Sequence, residues 1–574
     1  MPGKRAKYQG LAVSPGLAVG KACVFGKILV VPRRKIKVSQ VERELQRLTD
    51  AIAESKQELS QLKSVAESEV GIKDAEIFGT HLLFLDDPVF LAKIQKKLVE
   101  NKINLEAAVE DVTSESIRMF SKIHDPHFRE RIQDIRDVGM RLLENIMGFD
   151  RSLLLSTDED VIIVSSELTP SQTINLKKNR IRGFVTEKGG PTSHAAILAR
   201  SLGIPLVSGV HNLETRLKMG SLLIVDGFRG EILQNPTEEE LSTFRKQLES
   251  LHIQEDKEKK IAKLPTRTKD GVRIKVLANI RSEDDVTAAI HANADGIGLY
   301  RTEMHFLNHA EFPSEDEQLI DYRRVVEKIA PSPVTIRTLD LGGDKFSGFY
   351  PDLRETNPYL GLRAIRVSLE HPELFKMQLR AILRASVFGN VKLLLPMISG
   401  VEQVIKTKRL IRKCARELKR ENLAFNAKIP VGAMIEVPSA SLVIDSILKY
   451  ADFLSVGTND LIQYTIAVDR GNEMVSDLYE PVHPAILKLL SRMAKAARRA
   501  NKSISICGEM AGDTRYTALL LGMGYTELSM SSFFIPHLKS KIHSLTMTEA
   551  KQTAQRVLAL EKIKEIKKYI NNSW

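Results

Sequence analysis

The sequence has 574 residues but only three cysteines, one tryptophan and 6% aromatic residues. Cys23, Cys414 and Cys507 are scattered along the chain, a spacing that argues against disulfides and against a cysteine-based zinc site. No apolar run approaches the ~20 residues that a membrane span needs, so we expect no membrane insertion. The apolar stretch after the basic N-terminus is interrupted by Pro15 and Lys21 and makes a poor signal peptide. We therefore expect a cytoplasmic protein.

The net charge of +12 is not gathered into blocks of one sign. Lysine and arginine alternate with acidic residues in segments such as EDKEKKIAK and EKIKEIKKY. No RNA-binding or DNA-binding motif accompanies them, so we expect no nucleic-acid partner. An anionic substrate or an acidic protein partner accounts for the charge equally well.

Residues 39–148 have the periodicity of a helical bundle. Apolar residues recur from Val41 onward at the spacings of an amphipathic helix, and Ser39 with Glu42 predicts an N-cap. Interruptions are predicted near Asp86-Asp87-Pro88 and Asp125-Pro126. Such a region is either a plain bundle or a docking surface for another protein.

Short strand-like runs flank this helical region and predict a small α/β unit formed by residues 1–38 and 149–236. The charged helical segment 237–264 then predicts a linker helix. Within the α/β unit, GGPTSHAAILARSLG (189–203) predicts a helix that is capped by Thr192 or Ser193 and ends at Gly203.

His194 lies in the first turn of that predicted helix. The helix dipole disfavours protonation of an imidazole there, and a neutral imidazole is a nucleophile whose phosphoryl adduct would lie near unpaired backbone N–H groups. A lone histidine in this position is more often structural. Ahead of a domain that binds phosphate and carboxylate, a phosphorylated histidine becomes the favoured interpretation.

Residues 265–574 predict a (β/α)₈ barrel, because eight β-prone runs alternate with helical segments. The eight runs are VLANI (276–280), GIGLYRT (296–302), VTIRTLDL (334–341), KLLLPMI (392–398), GAMIEV (432–437), FLSVGTND (453–460), ISICGE (504–509) and ELSMS (527–531). Polar residues gather where these runs end, which is where the active sites of such barrels lie. They are Arg301, Glu303, Arg337, Asp340, Glu436, Asn459, Asp460, Cys507 and Glu509.

The strand-end residues suit an anionic substrate and a divalent cation. Arg301, Arg337 and Arg470 carry planar guanidinium groups that match phosphate and carboxylate. Glu436 and Asp460 end consecutive strands, and Mg²⁺ typically takes one or two carboxylates together with substrate oxygens and water. A single arginine of this kind is more often a solvated rim charge, whereas the whole set favours a site.

Cys507 supports two interpretations. Cysteine is often a small buried hydrophobic residue, but at a strand end beside a bound anion it could protonate an enolate. A cysteine hydrolase would need a base within hydrogen-bond reach, and His483 is the one nearby candidate in the sequence.

Long segments of the sequence resemble Enzyme I, the phosphoenolpyruvate–protein phosphotransferase family of the bacterial sugar phosphotransferase system. The similarity runs from about Gly10 to Pro536. The segments that carry it are LTPSQT (168–173), GGPTSHAAILAR (189–200), GLYRTE (298–303), RTLDLGGDK (337–345), NPYLGLRAIR (357–366), MIEVPSA (434–440), SVGTNDLIQYTIAVDRGN (455–472) and CGEMAGD (507–513).

The resemblance implies that phosphoenolpyruvate phosphorylates His194 and that the phosphoryl group passes to a histidine of the phosphocarrier protein HPr, releasing pyruvate as the first step of sugar uptake. It implies Mg²⁺ at Glu436 and Asp460, proton donation by Cys507, docking of HPr on residues 39–148, and a homodimer formed by the barrel. It also implies a set of substrate-binding residues, namely Arg301, Arg337, Lys345, Arg363, Asn459, Asp460 and Arg470.

Two residues depart from the family pattern near His194. Pro191 stands where an arginine is usual, and Glu167 stands where an aspartate is common; both could alter the orientation of the His194 ring, for which Thr169 is the implied hydrogen-bond partner. Pyruvate phosphate dikinase and phosphoenolpyruvate synthase share the histidine domain and barrel, but no nucleotide-binding loop is visible in the 193 residues before His194. A non-catalytic regulatory phosphoprotein should lack some strand-end groups, and none is missing.

Overall fold

The structure is a computed structural model whose chain divides into two compact units, residues 1–248 and 249–574. The residues that it describes are 5–25, 31–69, 72–120, 126–147, 160–166, 180–188, 195–196, 199, 203–210, 217, 219–307, 312–342, 357–470, 472, 474–475 and 478–573. No helix within these described ranges combines the length and apolar character needed to cross a membrane.

The first unit contains a mixed β-sheet. Its described strands are β1 (Ala6–Gln9), β2 (Leu11–Ser14), β3 (Leu17–Phe25), β4 (Val161–Ser165), β5 (Ile181–Thr186), β6 (Leu206–Ser208), β7 (Leu222–Asp226) and β8 (Glu231–Gln234). They lie in the order β1-β8-β7-β3-β4-β5-β6-β2. Strands β3 to β6 pair in parallel, and the remaining pairs are antiparallel.

Five helices are described in the chain between β3 and β4. They are α1 (Val41–Glu69), α2 (Ile72–Leu85), α3 (Pro88–Asn101), α4 (Leu105–Phe120) and α5 (Pro126–Ile146). Their apolar stripes meet in a buried cluster that includes Leu59, Ile94 and Leu142. The predicted interruption at Asp86-Asp87-Pro88 is confirmed, because the Asp87 carboxylate accepts the Val89 N–H at 2.8 Å and caps α3.

Helix α6 (Glu238–Ala262) follows β8 and runs across the boundary between the two units. Leu241 and Phe244 near its start pack with Ile224. At its other end, the Lys539 ammonium and the Asn293 amide both donate to the Ala262 carbonyl, at 3.0 and 2.9 Å. These donors satisfy a carbonyl that the end of the helix would otherwise leave unpaired.

The second unit is built on a closed parallel barrel, which confirms the predicted fold class. Its strands are β9 (Lys275–Ile280), β10 (Ile297–Arg301), β11 (Val334–Arg337), β12 (Val391–Leu395), β13 (Val431–Ile435), β14 (Leu454–Val456), β15 (Ile504–Ile506) and β16 (Glu527–Met530). Each pairs in parallel with the next, and β16 pairs with β9 to close the barrel. All eight predicted strand segments are present.

The described helices of this unit cover the barrel and extend it at the C-terminus. They are α7 (Glu283–His291), α8 (Glu303–Leu307), α9 (Glu315–Ile329), α10 (Ile365–Glu370), α11 (Pro372–Ala385), α12 (Val401–Arg420), α13 (Pro438–Leu442), α14 (Ile444–Ile447), α15 (Thr458–Ile466), α16 (Pro484–Arg499), α17 (Thr517–Met523), α18 (Ile535–His543), α19 (Met547–Leu558) and α20 (Ile563–Ser573). Between these helices and the strands lies the largest buried cluster of the chain.

Candidate active site

Strand alternation directs the polar strand-end residues into the mouth of the barrel. Leu299, Leu394 and Met434 belong to a small cluster of their own, whereas their strand neighbours pack toward the helices. Because side chains alternate between the two faces of a strand, Arg301 and Glu436 share the inward face of Leu299 and Met434. Cys507 belongs to the same inner cluster.

Arg337 ends β11 and is held by two carboxylates. Its guanidinium donates to Glu303 at 2.9 Å and contacts Asp340 at 2.8 Å. Burial opposes its charge, but Glu303 and Asp340 more than compensate and raise the pKa of Arg337 above its ordinary value. Arg337 therefore keeps its positive charge although only 9% of the residue is exposed.

Arg363 links Asp340, which contacts Arg337, to Asp460. It bonds Asp340 at 3.0 and 3.3 Å and Asp460 at 3.1 Å, and a further N–H donates to the Tyr464 hydroxyl at 3.1 Å. Burial would raise the pKa of Asp340, but Arg337 and Arg363 hold it below its usual range. Asp340 thus stays ionised between two arginines.

Arg301 is a half-buried cation that has no hydrogen-bond or ion-pair partner among the residues that the structure describes. It is paired in register with Arg337 on the adjacent strand. Burial, followed by repulsion from Arg337 and Arg281, lowers the pKa of Arg301. Within the same ranges, the buried Nε of Arg337 also lacks a partner. Two neighbouring arginines with unused donors form a site for an anion.

Glu436, just beyond β13, is 2% exposed, and one of its oxygens accepts the Met397 N–H at 2.6 Å. Met397 has φ +53°, a left-handed conformation that is uncommon for such a residue. A Cβ on Gly457 would lie 2.5 Å from the other Glu436 oxygen, so only glycine leaves room for the carboxylate there. Burial, followed by the nearby Asp460 and Asp340, raises the pKa of Glu436 to about 8.

Asn459 and Asp460 lie in the first turn of α15, which follows β14. Asp460 is 8% exposed and bonds Arg363. Asn459 accepts the Glu509 N–H at 3.1 Å, while its backbone carbonyl accepts the Tyr479 hydroxyl at 3.2 Å. Helix α15 thereby carries one carboxylate and one amide to the same mouth of the barrel.

The donor set fits a hard divalent cation. Glu436 and Asp460 are buried carboxylates. Asp460 adds to the rise in the pKa of Glu436 that burial causes, and a bound cation would oppose that rise. No group of three or more histidine, cysteine or acidic side chains within the described ranges is arranged to hold a metal ion. Two carboxylates without a full protein cage are what Mg²⁺ commonly uses, with substrate oxygens and water completing the octahedron.

Cys507 lies at the end of β15, beneath these charged groups. It is 2% exposed, and its thiol donates to the Val456 carbonyl at 3.4 Å. Burial raises the pKa of Cys507 to about 11, so the group is a thiol at neutral pH. Such a thiol can give a proton to a strongly basic carbon, but it is a poor nucleophile.

Two of the predicted site residues fall outside the part of the chain that the structure describes, and a third has no described bond to the charged residues above. His194 and Lys345 lie outside the described residues, as do Thr169, Glu167 and Pro191. Arg470 is described, and its backbone N–H donates to the Gln463 amide oxygen at 3.3 Å. Burial raises the pKa of Tyr479 and Arg470 opposes that rise, and the Tyr479 hydroxyl donates to the Asn459 carbonyl.

Residues that follow His194 in the chain support the helix predicted there. Ala195, Ala196 and Ala199 are buried against the sheet. Gly203 has φ +66°, and the Ile204 N–H donates to the Ala199 carbonyl at 3.0 Å. A bond of this span beside a left-handed glycine is the Schellman pattern found at helix ends, and it agrees with the predicted helix end at Gly203.

Sequence reasoning missed the backbone and hydroxyl groups that hold the charged residues in place. The Met397 N–H, the space at Gly457 and the Tyr464 hydroxyl all act on Glu436, Asp460 or Arg363. A glycine directly after a β-prone run, as in SVGTND, is the one signal that could have indicated a close approach. Nothing in the letters around Met397 indicates its backbone conformation.

Three family models match the chain in succession. The N-terminal domain of PEP-utilising enzymes matches residues 9–131, their mobile domain matches residues 157–230, and their PEP-binding domain matches residues 255–547. The last of these models covers the barrel and all of the charged strand-end residues described above.

Full-length relatives are similar as well. A phosphoenolpyruvate-protein phosphotransferase of Geobacillus stearothermophilus is 40% identical over 565 residues, which is 98% of this chain and 98% of that protein. A protein of the same name from Priestia megaterium is 38% identical over 568 residues and 99% of both chains. A solved solution structure described as Enzyme I is 34% identical and covers 43% of this chain and 99% of that chain, with a TM-score of 0.35.

Proposed function

Since this chain belongs to the phosphoenolpyruvate-protein phosphotransferase family, an enzyme family that transfers the phosphoryl group of phosphoenolpyruvate, we propose that the acceptor within the chain is His194. From His194 the phosphoryl group passes to a histidine of the phosphocarrier protein HPr, and pyruvate is released. In this proposal the reaction is the first step of sugar uptake by the phosphotransferase system.

The pair Arg301 and Arg337 is the observation that carries the proposal for the donor site. The two residues are neighbours on adjacent strands, and both keep guanidinium N–H groups without a partner among the described residues. Phosphoenolpyruvate is an anion at both its carboxylate and its phosphate. Bidentate guanidinium groups bind both kinds of group well, so Arg301 and Arg337 would hold the substrate, with Arg363, Lys345, Asn459, Asp460 and Arg470 around it.

Glu436 and Asp460 would hold Mg²⁺, which is the cation that their chemistry fits best. A divalent cation bound there would offset the negative charge shared by the substrate's carboxylate and phosphate. Phosphoryl transfer depends mainly on positioning and on charge neutralisation. The chain itself fixes both carboxylates, because the Met397 N–H bonds Glu436 and Arg363 bonds Asp460.

His194 would attack the phosphorus in line, and the oxygen that leaves would carry away the bonding electron pair as an enolate. Cys507 would then protonate the methylene carbon. Its S–H bond breaks, a C–H bond forms, and the thiolate is later reprotonated by water. The pKa of Cys507, raised to about 11 by burial, suits a group that must remain protonated until a strong carbon base forms.

Residues 39–148 would dock HPr, and the barrel would form a homodimer, in a cytoplasmic protein. The docking and the homodimer rest on the resemblance of the sequence to Enzyme I, and the location rests on the poor signal peptide and the lack of a long apolar run in the sequence. The docking and the homodimer agree with the domain boundaries that we propose: residues 1–38 and 149–236 for the histidine domain, 237–264 for the linker helix and 265–574 for the barrel.

Labelling with phosphoenolpyruvate radiolabelled in its phosphoryl group tests this proposal. Purified wild-type protein with Mg²⁺ and no ATP should acquire an acid-labile phosphoryl group, and His194→Ala should acquire none. His291→Ala is a matched control, since this histidine is exposed at the end of α7 and is none of the proposed ligands. Acid-labile label on His194→Ala, or a requirement for ATP, would disprove the assignment.

A further inference from the structure

A buried hydrogen-bond network lies behind the two strands that carry Arg301 and Arg337. Its centre is Gln378 on α11, a helix of the outer layer of the barrel. Gln378 is 1% exposed, although an uncharged polar side chain of this length is usually found at the surface. A buried amide needs partners for its oxygen and its nitrogen, and the identity of those partners indicates what Gln378 does.

Gln378 has three hydrogen bonds, and two of them reach the strand ends. Its amide oxygen accepts the Leu339 N–H at 3.0 Å, just after β11. Its amide nitrogen donates to the Thr302 hydroxyl at 3.3 Å, just after β10, and to the Tyr322 hydroxyl at 3.2 Å. One side chain therefore holds both strands at the point where their charged residues begin.

Thr302 extends this connection to Arg337 itself. Its hydroxyl donates to the Arg337 carbonyl at 3.0 Å, and in the chain it lies between Arg301 and Glu303. Glu303 in turn accepts from the Arg337 guanidinium and from the Asp340 N–H, at 2.9 and 3.1 Å. The backbone that sets the spacing of the two arginines is thus fixed by a chain of bonds that begins at Gln378.

The outer end of the network leads from Tyr322 away from the strand ends. The Tyr322 hydroxyl donates to the Gln318 amide oxygen at 3.1 Å, and the Gln318 amide nitrogen donates to the Pro313 carbonyl at 2.8 Å. Tyr322 and Gln318 are fully buried on α9. Gln318 therefore belongs to the same network but has no described bond to either strand end.

We propose that Gln378 is a positioning residue for phosphoenolpyruvate, whose side-chain amide fixes the relative placement of Arg301 and Arg337. This inference rests on the proposed function, because it takes both arginines as substrate ligands. Gln378 acts through the backbone at Thr302 and Leu339 and does not touch the substrate.

The effect should be large, because the network is buried. Losing Gln378 leaves the Leu339 N–H without its partner and the Thr302 hydroxyl with only its bond to the Arg337 carbonyl. Water reaches this place poorly, so the groups should move to find new partners. Misplacement of a binding group by ~1 Å can cost ~10²-fold in rate. A modest shift of two arginines should appear mainly as weaker substrate binding.

Substitution of Gln378 by methionine tests the inference, since methionine keeps the length of the side chain and removes its hydrogen bonds. In the full-length protein, Gln378→Met should raise the KM for phosphoenolpyruvate about tenfold, with a smaller change in kcat. Gln318→Met is the matched control: it removes a buried glutamine from the same network but leaves both strand ends bonded. It should change the melting temperature by a similar amount and the KM by less than twofold.

Gln378→Glu makes the KM depend on pH in a way that loss of packing alone would not. A protonated carboxyl can still accept the Leu339 N–H and donate to Thr302, whereas the ionised form has no donor. Burial raises the pKa of a carboxyl, so the ratio of the variant's KM to the wild-type KM should approach one at low pH and rise with pH. For Gln378→Met, the ratio should be the same at every pH.

Three outcomes would overturn the inference: an unchanged KM in Gln378→Met, an equal rise in Gln318→Met, or a pH-independent ratio in Gln378→Glu. Arg337→Gln distinguishes a failure of the positioning role of Gln378 from a failure of the proposed function. If Arg337→Gln raises the KM and the Gln378 variants do not, only the positioning role is wrong. If Arg337→Gln also leaves the KM unchanged, the substrate site itself has been misassigned.

Discussion

Glu436 illustrates how burial sets the state of a single residue. Its pKa is raised to about 8 by burial and by the neighbouring Asp460 and Asp340. The group is therefore mostly protonated at pH 7 when no cation is present, and a glutamine is close to it in shape and charge. The Met397 N–H can still donate to the amide oxygen of a glutamine at that position.

Glu436→Gln should consequently weaken the response to Mg²⁺ strongly without unfolding the protein. The Mg²⁺ concentration that gives half-maximal turnover should rise by more than ~10–100-fold, the loss of affinity typical when an outer-shell partner is removed. The melting temperature in the absence of metal should change little. Asp445→Asn is the control, because Asp445 forms an exposed pair with Arg499. Normal Mg²⁺ dependence in Glu436→Gln would show that the metal lies elsewhere.

Cys507 differs from the other two cysteines in what surrounds it. All three are buried, but Cys507 lies within reach of the electrostatic influence of Arg301, Arg337 and Glu436. Cys507→Ala should slow pyruvate formation by the ~10²–10⁴-fold expected for a lost general acid, with little change in phosphoenolpyruvate binding.

Cys414→Ala is the matched control for this variant, since Cys414 is buried on α12, away from the strand ends. Stopped-flow measurement of pyruvate release separates protonation from binding. Turnover of Cys507→Ala within about threefold of wild type, far short of the expected loss, would return Cys507 to the role of a packing residue.

At the scale of elements, the barrel strands were predictable and the details of the caps were not. Parallel strands buried on both faces form nearly continuous apolar runs, and KLLLPMI and GAMIEV are of this kind. Ser39 was wrongly predicted as an N-cap. The structure has a 3₁₀ turn at Val38–Gln40 ahead of α1, in which the Gln40 side chain accepts the Lys37 N–H at 2.8 Å.

The first unit contains strands that the sequence did not reveal. β1 and β8 are four residues long and pair with each other in antiparallel register. Four residues contain only two repeats of the strand's alternation between buried and exposed side chains, which is too few to recognise in the sequence. Their pairing joins residues more than 200 positions apart, and nothing local in the sequence encodes it.

Helix α5 carries a carboxyl group, Asp137, whose ionisation should affect the stability of the bundle. Burial raises the pKa of Asp137 to about 6, with His81 opposing and Asp134 adding to the rise. The folded state therefore keeps a proton that the unfolded chain has already released. This contribution to stability is complete below pH ~4 and is lost as the pH rises through about 6.

Asp137→Asn should remove this loss of folding stability at higher pH. Hydrogen exchange of the α5 amides in the full chain should show equal protection for variant and wild type near pH 4. At pH 7.5 the variant should be more stable by on the order of 1–2 kcal/mol. Glu100→Gln is the control, because Glu100 is exposed beside Lys96. Equal protection at both pH values would mean that Asp137 is not buried as described.

For the whole molecule, the sequence indicated which residues meet but not how they are held. Eight strands closing in chain order bring Arg301, Arg337, Glu436 and Cys507 to one mouth, and the barrel pattern alone predicted this. The bonds from Met397 and Gln378 come from a backbone conformation and from an outer helix. Neither has a local signature, because both depend on how the helices pack against the finished barrel.

The proposed division of labour between the two units leads to the most direct test of the account. All described candidate ligands for phosphoenolpyruvate lie beyond residue 265, whereas His194 and the proposed HPr surface lie before it. A phosphohistidine is a high-energy group, so its exchange with a carrier histidine should be reversible and should need no Mg²⁺.

The measurement is phosphoryl exchange by a fragment that ends near residue 255, checked for folding by circular dichroism. The account predicts that the folded fragment takes radiolabelled phosphoryl groups from phosphorylated HPr without Mg²⁺ and takes none from phosphoenolpyruvate with Mg²⁺. Full-length protein should use both donors. Direct labelling of the fragment by phosphoenolpyruvate would contradict the central claim, because the barrel could then not be the substrate site.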